Sequence, residues 1–331
     1  WSSDVCSSDL TVGRFEEAVA CFEPRTFNAE DTQAVAFGTG MAAIAAVVLS
    51  RVKAGKPHVV GIRPLYGGTD HLLEHGLLGT HVTFTDVHGL RAAMTEHTGL
   101  VVIESPGNPT LELIDIAEVA RISGDVPVMV DNTFATSILQ HPLELGAAFS
   151  VHSATKYIGG HGDAMGGVVI TSSAHAQALR QVRAITGGLL DPMSAFLLHR
   201  GLPTMPIRVQ HQQTNAGALA QWLDSQPAVA RVHYPGLSAC DPHGLVGPER
   251  FDAGQRETQR CDPAQALDLQ LQLAIGDPLD AALQVGAVDQ RHGIRGEERR
   301  SGEQEKGEET HPSFQTNVGT QGCQSFRKKL C

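Results

Sequence analysis

The stretch FSVHSATKYIGGHGDAMGGVVI, Phe149–Ile170, decides how this chain is read. It opens as a strand, passes one lysine among small polar residues, and returns to a β-branched run through glycines. Lysine at the end of a buried strand is ordinarily a surface or salt-bridged residue. Here Ser153 and Thr155 stand on either side of Ala154, and Gly159, Gly160 and Gly162 follow Lys156. Glycines let backbone approach a ligand closely. A lysine in such a setting can be desolvated and form a Schiff base, and hydroxyls beside it suit a phosphate.

Working outward, further strand candidates are Gln33–Phe37, His58–Ile62, His81–Thr85, Leu100–Ser105, Val126–Asp131, Ala148–Ser153 and Gly166–Ile170. Helix candidates lie between several of them: Met41–Val52, HLLEHGLL from His71, and DIAEVARIS from Asp115. Near-continuous apolar strands alternating with helices predict a mostly parallel sheet covered by helices on both faces. Ligands in such folds sit beyond the carboxyl ends of the strands. His211–Val229 reads as a long helix stopped near Pro227, and Arg231–Leu237 as a strand entering a turn.

The chain has 331 residues and a net charge of −11, which speaks against a general nucleic-acid binder. No apolar run approaches bilayer length. No basic region followed by an apolar segment opens the chain, so no secretory signal is read. Six scattered cysteines without a CxxC pair point to a reducing cytoplasm.

Asp131 ends the strand VPVMVD. It reads either as a turn or cap aspartate or as an anion facing a protonated pyridine nitrogen. An acid on that nitrogen and a lysine aldimine are what proteins contribute to pyridoxal phosphate (PLP) chemistry. In FGTGMAAIAA, Gly38 and Gly40 precede a helix whose free N–H groups could hold a phosphate. The same residues match G-x-G-x-x-A (Gly38, Gly40, Ala43), so an NADP-binding oxidoreductase is a rival reading. That reading expects an acid after the next strand, where Arg63 stands. Tyr66 could stack on a planar ring, and Asn108, in the rigid turn of ESPGNPT, could donate to a ring oxygen. HLLEH (His71–His75) matches an inverted zinc-protease pattern, but a chain with 16 histidines makes such matches by chance, and no metal is assigned.

Taken together, VHSATKYIGGHGD, VMVDNTFAT, ESPGNPT, PLYGGT and GTGMAAI resemble the Cys/Met-metabolism family of PLP-dependent enzymes over roughly Thr11–Leu237. The resemblance implies the aspartate-aminotransferase (type I) fold and a homotetramer built from tight dimers. It implies an internal aldimine on Lys156, Asp131 on the pyridine nitrogen and Tyr66 stacked on the ring and assisting proton transfer. Gly40, Met41, Ser153 and Thr155 would hold the phosphate, with Asn108 near the ring hydroxyl. The implied reaction is γ-elimination or γ-replacement on sulfur amino acids or activated homoserine in the cytoplasm, leaning to cystathionine γ-lyase or γ-synthase. Methionine γ-lyases usually carry cysteine after the YG pair, where Gly68 stands here.

The resemblance also marks departures. The family's opening Y-x-R pair is missing, and Arg14 is no clear substitute; neither an SLG turn nor its carboxylate-binding arginine follows Pro248. The expected organisation is an unstructured leader over 1–10, a PLP-binding large domain over 11–225, the start of a small domain over 226–248, and an atypical tail over 249–331. The small domain would thus be missing or corrupted. A truncated PLP-fold protein without activity is the third reading.

Overall fold

The computed structural model describes residues 10–23, 31–241 and 244–245. The expected leader, up to residue 9, and the tail over 249–331 lie outside the described residues. Leu10, read as leader, instead opens helix α1 (Leu10–Ala20).

The elements follow as β1 (Thr32–Phe37), α2 (Gly40–Lys53), β2 (His58–Ile62), α3 (Gly67–Glu74), β3 (His81–Thr85) and α4 (Leu90–Ala93). Then come β4 (Thr98–Glu104), α5 (Ile116–Ser123), β5 (Val128–Asp131), α6 (Thr136–Leu139), β6 (Phe149–His152) and β7 (Gly167–Ser172). Helices α7 (Ser173–Thr186), α8 (Pro192–Gly201) and α9 (Met205–Asp224) complete the series.

The seven strands form one sheet in the order β1-β7-β6-β5-β4-β2-β3. Strands β2 to β6 pair in parallel, while β7 runs antiparallel to both β6 and β1. Parallel neighbours need a crossover, usually a helix. The segment Ser153–Gly166 between β6 and β7 holds no helix, so the chain returns antiparallel. Gly167, the first residue of β7, therefore lies at the same end of the sheet as the carboxyl ends of the other strands.

Apart from the edge strand β3, whose residues stay partly exposed, the strands are mostly apolar because both faces are covered. In β4, Leu100 and Val102 pack with Ile44, Val47 and Leu179 of α2 and α7. The alternate residues Val101 and Ile103 pack with Leu90, Ile116 and Val119 of α4 and α5. Below β1 and β7, Ala34, Ala36, Val168 and Ile170 meet Phe15, Leu198, Met205 and Val209. Each fully buried aliphatic side chain contributes about 1.5–3 kcal/mol. Glu16 of α1 accepts from Ala36 N at 2.8 Å and from Arg183 Nη1 at 2.6 Å. This buried pair joins α1, β1 and α7.

Three readings of local structure change. The dinucleotide reading needs β1 and β2 side by side in the sheet, but β1 pairs with β7 and β2 with β3 and β4. Helix α9 begins at Met205, six residues earlier than read, because Pro206 sits in the first turn, where its missing N–H costs nothing. Arg231–Leu237 forms no strand, since no strand among the described residues offers it a ladder. Tyr234 turns back instead and donates to Gln213 O on α9 at 3.3 Å.

Candidate active site

The carboxyl ends of β1, β2, β4, β5 and β6 carry the residues that the sequence marks. The turn Gly38-Thr39-Gly40 leads β1 into α2, whose first turn is capped by Thr39 Oγ1 accepting from Ala42 N at 3.0 Å. Gly40 rests on Ser153: a Cβ on Gly40 would lie 2.9 Å from Ser153 Cβ and 3.0 Å from its Oγ. A Cβ on Gly167 would strike the Thr39 carbonyl. Two glycines thus let the helix N-terminus, with its free N–H groups, settle between β6 and β7 beside a hydroxyl. That set of donors fits a phosphate.

Two acids end adjacent strands. Glu104 of β4 and Asp131 of β5 are register partners. Asp131 Oδ1 accepts from Thr133 Oγ1 at 2.6 Å and from Thr133 N at 3.1 Å. Burial pushes the Asp131 carboxyl up, and the Thr133 bonds pull it partly back. Thr133 Oγ1 also accepts from Ser153 N at 2.8 Å, linking the ends of β5 and β6.

Glu104 is buried, and it gathers two loops. Its Oε2 accepts from Tyr66 N at 2.6 Å and its Oε1 from Asn108 N at 3.1 Å. Burial first, and then the neighbouring Asp131 charge, raise its pKa to about 8. Sequence reasoning missed both Glu104 and Thr133. The available signal for Glu104 was the one that flagged Asp131: an acid closing an otherwise apolar strand.

Tyr66 opens α3 and stays 48% exposed. Its ring lies over Gly68, where a Cβ would come 2.7 Å from Tyr66 Cε1 and 3.0 Å from Met41 Sδ. Tyr66, Met41 and Gly68 are therefore one cluster. Thr155 is placed differently from a simple phosphate donor: its Oγ1 donates to Gly166 O at 3.2 Å and accepts from Gly166 N at 3.1 Å. Its hydroxyl closes the neck of the lysine-bearing segment.

Lys156 sits in a hydrogen-bonded turn, with Lys156 N bonded to Ser153 O at 3.0 Å and Gly160 N to Lys156 O at 2.8 Å. The residue is exposed, and among the described residues no carboxylate pairs with its amine. Arg14 is exposed on α1. In HLLEH, the His71 and His75 rings meet edge to face at 5.7 Å, while Glu74 pairs with Arg63 at 3.5 Å. Among the described residues no group of three His, Cys, Asp or Glu could hold a metal ion, and no helix is long and apolar enough to cross a membrane.

The sequence profile of one family, described as Cys/Met metabolism PLP-dependent enzyme, matches residues 7–253. The chain belongs to the Cys/Met metabolism PLP-dependent enzyme family. Among relatives, it is 55% identical over 243 residues to an L-methionine gamma-lyase of Brevibacterium aurantiacum, covering 73% of this chain and 58% of that one. It is 39% identical to a cystathionine beta-lyase of Coxiella burnetii over 69% of this chain and 61% of the other. The crystal structure of cystathione gamma lyase (CalE6) from Micromonospora echinospora matches with TM-score 0.63 and 35% identity, over 73% of this chain and 63% of that chain. The chain thus spans about three-fifths of the length of the curated relatives it matches. These matches agree with the expected PLP-dependent fold of a mostly parallel sheet covered by helices. The cofactor of the Cys/Met metabolism family is pyridoxal 5′-phosphate. The site fits it: a cradle kept open at Gly40, an acid at Asp131 and an unpaired amine at Lys156 meet the needs of a phosphate, a ring nitrogen and an aldehyde.

Proposed function

We propose that this chain carries the cofactor-binding part of a PLP-dependent lyase that performs γ-elimination on sulfur amino acids. The observation that carries the reading is the gathering of the Gly40–Ser153 cradle, Asp131 and the unpaired Lys156 at one end of a parallel sheet. Several relatives named L-methionine gamma-lyase, at 49% to 55% identity, make methionine the first substrate to test. Gly68 makes cystathionine the second, with γ-replacement by a thiol on activated homoserine as the alternative outcome.

When bound, PLP supplies an aldehyde that takes an amine covalently and a ring that withdraws electrons once its nitrogen is protonated. Each residue then has a defined task. The amides of Gly40 and Met41 and the Ser153 hydroxyl hold the phosphate, helped by the positive end of α2. The Thr155 hydroxyl keeps the lysine segment closed through Gly166 and so orients the cradle. The Asp131 carboxylate, fixed by Thr133, keeps a proton at the ring nitrogen. The Tyr66 phenol would pack on the ring and assist proton transfer, and the Asn108 amide would donate to the ring oxygen. The Lys156 amine would hold the cofactor's aldehyde and, once free, would move a proton between the substrate's Cα and Cβ.

The larger assembly belongs to the same proposal: a large domain over 11–225, a homotetramer of tight dimers and a cytoplasmic setting. Exposed Leu189, Met193 and Phe196 around the start of α8 suit burial against another protomer. Among the described residues Cys21 and Cys240 are free thiols, which suits a reducing compartment.

The test is borohydride trapping of PLP on the purified chain, followed by peptide mapping. Label should fall on the peptide holding Lys156, and Lys156→Ala should abolish it. Label on another lysine would overturn the reading. Assays with methionine, cystathionine, and O-succinylhomoserine plus cysteine then separate elimination from replacement.

A further inference from the structure

Helix α9 contributes a charged group that the proposed mechanism does not use. Arg208 is only 8% exposed, and among the described residues no carboxylate faces it. Its guanidinium is spent on oxygen atoms of neutral groups. Nη1 donates to Tyr157 O at 2.9 Å, and Nη2 donates to Gly201 O at 2.9 Å and to Ile158 O at 3.4 Å. Nε donates to Thr204 Oγ1 at 3.0 Å.

Two of these acceptors are the carbonyls immediately after Lys156. The others belong to the corner where α8 meets α9. Gly160 completes the contact: its φ is +70°, and a Cβ there would strike the guanidinium. The glycine is therefore needed twice, for its backbone conformation and for the room it leaves. A buried cation without a counter-ion is costly, and several well-placed acceptors are what make it tolerable. Fork geometry lets one guanidinium span acceptors from both segments, which an ammonium cannot do.

We infer that Arg208 is a positioning residue for the lysine: its guanidinium ties the Lys156 turn to the α8–α9 corner and so sets where the amine stands. The inference rests on the proposed role of Lys156, but the clamp itself can be measured without it. Burial lowers the guanidinium pKa only to about 10, so the clamp stays charged at neutral pH.

The experiment uses the full chain as wild type, Arg208→Met and Arg208→Lys, with three readouts. Amide exchange reports on Gly159 N, bonded to Ala154 O, and Gly160 N, bonded to Lys156 O, each at 2.8 Å. Affinity for 4′-deoxypyridoxine 5′-phosphate, which has no aldehyde, reports on the cradle alone. The rate of covalent PLP capture reports on the amine. Capture joins Lys156 Nζ to the aldehyde carbon with loss of one water; borohydride then adds hydride to that carbon, and nitrogen takes a proton.

Arg208→Met should speed exchange at Gly159 and Gly160 by about tenfold or more, as loss of a charged hydrogen bond implies. It should slow capture by about tenfold while leaving the deoxy analogue's affinity unchanged. Arg208→Lys should recover part of both, since it keeps the charge without the fork. Unchanged exchange at the two glycines overturns the inference. So does a slower capture matched by an equal loss of analogue affinity, which is general damage. If Arg208→Met fails to fold, Arg208→Lys decides by the same readouts, and wild-type values there overturn the inference. If the wild type itself does not capture PLP on Lys156, the proposed function falls, and exchange at the glycines alone decides whether Arg208 holds the turn.

Discussion

Arg183 and Arg208 are both buried, at 3% and 8% exposure, yet different chemistry holds them. Arg183 meets Glu16 at 2.6 Å and adds the Ala36 carbonyl at 2.7 Å, so its charge is neutralised where α1, β1 and α7 join. Arg208 meets only carbonyls and a hydroxyl, at the corner beside Lys156. An ion pair fixes three elements of the scaffold to one another. A lone guanidinium fixes the turn that carries the exposed Lys156. The first region is built for stability and the second for placement, and the same residue type serves both because the surroundings differ.

The largest effect should come from breaking the paired region. Glu16→Ala leaves Arg183 buried without its partner, which costs about 3–5 kcal/mol. Denaturant titration should show this loss, and a change below about 1 kcal/mol would place Glu16 with the ordinary surface ion pairs. In the site region, Gly40→Ala should cost less, about 1–3 kcal/mol for an overpacked contact with Ser153. Its effect on PLP affinity should be larger than on stability, because the added methyl moves the helix N-terminus off the hydroxyl. Equal losses in both would make Gly40 a packing residue only.

A pH slope separates the regions again. Glu23, following α1, has its pKa raised to about 7, mainly by burial. Glu104, in the site, is raised to about 8. Both carboxyls hold protons in the folded state that the unfolded chain releases near 4.5. Their contribution to stability is present below about 4.5 and is lost as pH rises through about 7 and about 8. His152 acts in the other direction: burial lowers its pKa to about 4, so its contribution is present above 6.5 and lost as pH falls through about 4. Between pH 6.5 and about 8 the decline due to these two acids is no longer offset by His152. Glu23→Gln should flatten the part of the slope up to about 7, and Glu104→Gln the part up to about 8. Identical profiles for the two variants would show that scaffold and site titrate as one.

Much of this was legible along the chain. All seven strands were found: the inner ones because a strand buried on both faces is a short apolar run bounded by glycine, proline or polar residues, and the edge strand β3 because its β-branched and aromatic residues alternate with polar ones. Lys156, Asp131, Asn108, Tyr66 and Gly40 stood out because each lies at the end of such a run or within a few residues of it. The leader was read one residue too long at Leu10, and Arg231–Leu237 was read as a strand, because local propensity says nothing about whether a ladder partner exists.

The amino-acid sequence by itself determined the parallel α/β plan and the set of polar residues at its strand ends. Period, glycine placement and strand length are local properties, and they survive without a fold. Only the tertiary structure decided that β7 returns antiparallel, that Glu104 gathers the Tyr66 and Asn108 loops beside Asp131, and that Thr155 spends its hydroxyl on Gly166. It also decided that Arg208, some fifty positions downstream, closes on the turn of Lys156. Each of these depends on which distant segments share a register or a corner, and hydrogen bonds between them form only after the core has packed.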